Sequence, residues 1–97
     1  MGYEIAFYQT ESGRIPVDDF IKSLPDKSVA KILRDLELLK DFGSDLRYPF
    51  VVAIKGDRYD GLMELRTKQA GNIFRTFYFI VEHVGQGRQD TAVLLHA

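Results

Sequence analysis

The chain has no cysteine, only two histidines and no surplus of either charge, with 13 basic against 14 acidic residues and a formal charge of −1. The missing cysteine excludes disulfides and thiolate metal sites, and it is compatible with a reducing cytoplasm. His83 and His96 do not stand at zinc-like spacing from other ligands, so no metal or cofactor is expected. The near-neutral total argues against a strongly basic nucleic-acid binder and leaves room for a local basic patch. No apolar run approaches the roughly 20 residues that a spanning helix needs, so no membrane association is expected. The opening Met-Gly-Tyr-Glu-Ile-Ala-Phe-Tyr lacks the basic flank of a secretory signal. Phosphate loops, dinucleotide fingerprints and nucleophile elbows are also absent.

What is present is a 97-residue chain with 45% hydrophobic and 28% charged residues, which fits a single domain over 1–97. Its organising stretch is Gly61 to Val84. Two runs rich in apolar, aromatic and β-branched residues flank a polar segment with Gly71 and Asn72, which predicts a hairpin. Strand alternation sets Met63 and Leu65 on one face and Glu64 and Arg66 on the other. The second run is apolar enough for a central strand yet carries Arg75, whose head must reach a partner or water. Glu64, Arg66 and Arg75 are therefore expected near one exposed patch.

Around this hairpin, Tyr3 to Tyr8 alternates as a first strand. Pro16 opens a short helix with Val17, Phe20, Ile21 and Leu24 on its apolar face, and Pro25 stops it. Asp26 is the expected N-cap of a second helix. Its apolar stripe is Val29, Ile32, Leu33, Leu36, Leu39 and Phe42, with Lys27, Lys31, Arg34, Asp35 and Lys40 opposite and Gly43 as the stop. Phe50 to Ile54 forms a short extended piece at most, and Thr91 to His96 reads as a last strand. The expected class is α+β, in the order β-α-α-β-β-β, with two helices against an antiparallel sheet.

Two arginines, a glutamate and a histidine near a strand end could support metal-free RNA cleavage. Arginine forks suit phosphates and the charge that builds on them, and a His or Glu can move a proton. Structural readings stand beside this one. Glu64 and Arg66 fit a solvated ion pair, Arg75 fits a cross-hairpin partner of Glu64, and Tyr78 fits the core with its hydroxyl at a rim.

Gly-Leu-Met-Glu-Leu-Arg at 61–66, Asn-Ile-Phe-Arg-Thr-Phe-Tyr at 72–78 and Leu-Leu-His-Ala at 94–97 resemble the HigB-like, phage-related branch of the RelE/ParE toxin superfamily. Pro-Val-Asp-Asp-Phe-Ile-Lys-Ser-Leu-Pro at 16–25 and the helix after it fit the same branch, so the resemblance spans essentially the whole chain. It implies a RelE-like fold and the toxin of a type II toxin–antitoxin pair. Such a toxin is a cytoplasmic, metal-independent endonuclease that cuts mRNA in the ribosomal A site. It also implies a helix-turn-helix antitoxin as partner, held in a hetero-oligomer.

By this resemblance Arg75 matches the arginine at the scissile phosphate, Arg66 the arginine that closes the Glu-Leu-Arg strand, and His96 the acid/base position. Glu64, Tyr78, Lys55 and Lys68 complete the expected substrate contacts. Relatives continue past Leu-Leu-His-Ala into a Phe-x-Lys-Lys-Thr segment and a C-terminal helix, whereas this chain stops at Ala97. The expectation is a truncated form, possessing no C-terminal helix and weak or inactive as it stands. Glu64 stands where some relatives place a lysine, so a lysine-rich mechanism does not carry over. Two other functions stay open on the same scaffold: a ParE-like toxin that traps DNA gyrase, and a non-catalytic relative that binds an antitoxin.

Overall fold

The computed structural model describes residues 2–54, 61–83 and 89–97. Alternation and helical phase build an α+β domain from β1 (Glu4–Phe7), α1 (Pro16–Lys22), α2 (Asp26–Phe42), β2 (Val51–Ala53), β3 (Met63–Gln69), β4 (Asn72–Val81) and β5 (Thr91–His96), with a single 3-10 turn after α2. The five strands form one sheet in the order β1-β5-β4-β3-β2, which puts β4 at its centre. No helix follows β5 among the described residues.

The extended piece around Phe50 is a full member of the sheet, since Val51 pairs with Leu65 and Ala53 with Met63. The sheet is also not wholly antiparallel, because β1 runs parallel to β5. The reason lies in the connection. The helices carry the chain from β1 to the far edge, and the β2–β5 meander works back until its last strand lies beside β1 in the same direction.

Pro16 occupies the first turn of α1, and Asp18 and Asp19 sit where the helix dipole favours negative charge. At α2 the N-cap is Pro25 and not Asp26, which is the first helical residue; no side chain caps this end. At the other end Gly43 has φ +49°, and a Cβ there would collide with the Tyr3 ring. Glycine is therefore required twice over, by backbone and by space.

One face of the sheet carries both helices. Its core joins Val17 and Ile21 of α1, Ile32, Leu36 and Leu39 of α2, and Val51, Leu65, Tyr78, Ala92 and Leu94 of the strands. Each fully buried Leu or Ile here contributes roughly 1.5–3 kcal/mol. Phe20 meets Phe74 edge-on, with ring centroids 6.0 Å apart, and fixes α1 against β4.

The buried phase of α2 differs from the expected stripe. Ser28, Ile32, Asp35, Leu36 and Leu39 are buried, whereas Leu33 and Phe42 are about half exposed. The helix is rotated toward β3, and the Ser28 hydroxyl donates to Gln69 Oε1 at 3.1 Å. That rotation takes Asp35 from the expected solvent side to 2% exposure.

The β3–β4 turn also shifts by one residue. Ala70 (φ +51°) and Gly71 (φ +83°) are its central pair, while Asn72 already belongs to β4 and faces Gln69. Two successive positive φ values are what a tight two-residue hairpin demands, and alanine accepts the first at a steric cost.

Candidate nucleic-acid interface

The opposite face of the sheet is covered by neither helix. By alternation β3 sends Glu64, Arg66 and Lys68 to it, and β4 sends Ile73, Arg75, Phe77 and Phe79. The register sets Arg66 directly across from Arg75, Glu64 across from Phe77, and Lys68 across from Ile73. Two guanidinium groups facing each other repel unless an anion lies between them.

Glu64 supplies that anion. Its Oε1 accepts from Arg66 Nε at 2.6 Å and lies 3.7 Å from Arg75 Nε. The Glu64 side chain is only 8% exposed, against 32% for Arg66 and 49% for Arg75. One carboxylate therefore serves two arginines unequally. Arg66 is held, and Arg75 keeps most of its hydrogen-bonding capacity toward solvent.

His96 reaches this face because of an irregularity in β5. Tyr78 pairs with Leu94, but the next residue of β4, Phe77, pairs with His96, so Leu95 is an extra residue. A bulge of this kind reverses which side the following residue faces. Leu94 remains in the core while His96 joins Phe77 on the open face, with ring centroids 6.5 Å apart. His96 is exposed and diagonal to Arg75, a relation that puts Cβ atoms roughly 7–8 Å apart in an antiparallel pair. His83 is placed elsewhere: its Nε2 is 3.1 Å from Thr91 Oγ1, and its backbone N–H donates to Asp90 Oδ1. That is the opposite end of β5.

The structure thus gathers Arg66, Arg75, Glu64, Lys68 and His96 on the sheet face that neither helix covers. Tyr78 is a correction to the expected substrate contacts. Its register puts it on the helix-covered face, where it is 2% exposed, and burial pushes its hydroxyl pKa up to about 12. It is a core residue. Lys55 lies outside the described residues. Among the described residues no group of three or more His, Cys, Asp or Glu could hold a metal, and no helix is long and apolar enough to cross a membrane.

A further group of residues was not expected from sequence. β2 begins only at Val51, opposite Leu65, while β3 runs on to Gln69, leaving a notch beside the outer edge of β3. Lys31, Asp35, Pro49, Phe50, Arg66 and Lys68 line it, enclosing about 160 Å³. A signal did exist in the chain: Ser28, Ile32, Asp35 and Leu39 stand at the i, i+4, i+7 and i+11 positions of one helical face, which places a polar pair in the buried stripe.

Residues 19–97 match the family model described as "Phage derived protein Gp49-like (DUF891)". No curated protein and no solved structure matches the chain.

Proposed function

The chain belongs to the phage-derived Gp49-like family, and we propose that it is the toxin of a type II toxin–antitoxin pair, a metal-independent endonuclease that cuts mRNA on the ribosome. The observation that carries this reading is the opposed Arg66–Arg75 pair, balanced among the described residues by only one carboxylate, on a sheet face that neither helix covers. The chain is close to neutral overall, yet this surface adds Lys68 to the two arginines and so suits a phosphodiester backbone.

In the proposed reaction the ribose 2′-oxygen attacks the adjacent phosphorus and forms the 2′-O–P bond. The P–O5′ bond breaks, and the 5′-oxygen leaves with a proton. Arg75, the freer guanidinium, stabilises charge on the non-bridging oxygens, which is worth most when the donor is already in place. His96 takes the 2′-hydroxyl proton or supplies one to the leaving oxygen, since an imidazole can either accept or donate a proton. Arg66 holds Glu64 and contacts the backbone beside the cut, with Lys68 extending the track. Glu64 is too tightly engaged with Arg66 to serve as the base. A ribosomal substrate implies a cytoplasmic site of action, and a helix-turn-helix antitoxin is the proposed partner that silences the protein in a hetero-oligomer.

Induction of the full-length gene product should arrest growth and yield A-site cuts detectable by primer extension. Arg75→Ala should abolish both, and undiminished cutting by that variant would remove Arg75 from the mechanism. Growth arrest accompanied by DNA-damage signalling and intact mRNA would transfer the reading to a gyrase-directed toxin.

A further inference from the structure

We propose that the notch between α2 and the outer edge of β3 is a subsite for a single nucleobase, and that Asp35 reads its amino group. The proposal rests on the nucleic-acid reading above for its biological substrate, while its chemistry stands on the notch itself.

Three observations define the ligand. Asp35 is 2% exposed, and no donor among the described residues reaches its Oδ1. Buried polar atoms in folded proteins are nearly always paired, so an unpaired carboxylate on a residue that lines a cavity marks a place for an incoming N–H. Lys31, Arg66 and Lys68 line the same cavity, and none of them is bonded to Asp35. A lone cation or amine would satisfy Asp35 and be repelled by these three groups. An acidic group alone would satisfy the lysines and leave Asp35 unpaired. A ligand that carries a donor edge and an anion together satisfies both.

Phe50 is 40% exposed and, with Pro49, gives the cavity an apolar wall for a flat ring. The volume of about 160 Å³ equals that of roughly five waters, taking about 30 Å³ for each. That suits a ring system and is too small for a folded peptide element.

A nucleotide meets all three requirements. Adenine, cytosine and guanine each present an amino group. Uracil presents one N–H between two carbonyl oxygens, which a carboxylate would repel. Arg66 also connects the two regions: it lines the notch and is bonded to Glu64 at 2.6 Å on the open face. A base in the notch would lie beside the nucleotide whose phosphate meets Arg75.

The test is titration of AMP, CMP, GMP and UMP into the ¹⁵N-labelled protein, following the amides of Lys31, Phe50 and Lys68. The amino-bearing nucleotides should bind about tenfold more tightly than UMP, the discrimination expected of one well-made base contact. Asp35→Asn, whose amide both donates and accepts, should shrink that gap to about threefold or less. Phe50→Leu should weaken all four nucleotides alike, so the subsite stays testable if the Asp35 variant does not fold. Equal binding of all four, no binding, or a gap that survives Asp35→Asn overturns the subsite. If nucleotides are discriminated but the wild type cuts no RNA, the endonuclease reading fails and the subsite stands. If the wild type cuts RNA and the four nucleotides are not discriminated, the subsite fails alone.

Discussion

Strands β3 and β4 carry two chemistries back to back. On the side that meets the helices, Leu65 and Tyr78 are almost wholly buried, as are Thr67 and Thr76. On the other side the same strands present Glu64, Arg66, Lys68 and Arg75. Interleaved residues, 3.3–3.4 Å apart along the chain, thus separate what keeps the domain folded from what it offers a partner. The two sides meet at a single group, because Glu64 belongs to the open face and yet is buried against its arginines. A side chain on the covered face should change stability and leave the chemistry intact, and the reverse should hold on the open face.

Leu65→Ala should produce the largest stability loss, about 2–5 kcal/mol for a fully buried leucine whose site cannot collapse. Urea unfolding measures it, and Arg75→Ala in the same experiment should stay within about 0.5 kcal/mol of the parent. Equal losses would erase the distinction between the faces.

The next effect appears at high pH. The Tyr78 hydroxyl titrates near 12 in the folded protein and near 10 when unfolded. The unfolded chain therefore releases its proton first, and stability is lost as pH rises from about 10 to about 12, by at most about 1.4 kcal/mol for each unit between the two values. Tyr78→Phe should flatten that slope in alkaline unfolding curves.

A smaller change is expected from Glu64→Gln. Without the carboxylate, Arg66 and Arg75 face each other unbalanced, and stability should fall by about 1 kcal/mol at low salt. Raising ionic strength to about 1 M should recover most of the loss, because Arg75 is half exposed and easily screened. A salt-independent loss would mean that packing, and not charge, dominates there. The smallest effect is a gain: Ala70→Asn should add about 0.5–1 kcal/mol in thermal unfolding by suiting the positive φ of the turn.

Much of this arrangement could be read directly from residue order. Alternation across Met63–Arg66 placed Glu64 and Arg66 on one face, and Arg75 inside an apolar run signalled that its strand had one open side. Three features resisted. The phase of α2 was obscured because Leu33 and Phe42 are apolar but half exposed, which drew the expected stripe away from Ser28 and Asp35. The bulge at Leu95 has no local marker, since Leu-Leu-His reads equally well as an unbroken strand. Tyr78 was ambiguous because a tyrosine suits both a core and a rim, and only the register of β4 decides between them.

The parallel pairing of β1 with β5 has a kinetic meaning. Thr91 Oγ1 donates to Glu4 Oε2 across 87 positions of sequence, so β1 must wait for a much later segment before it gains a strand partner. Contacts of such long range slow folding, since loop closure has to precede them. During synthesis β1 therefore remains an unclaimed edge beside two helices whose sheet does not yet exist. Anything able to occupy that edge in the interval could delay the appearance of a finished protein.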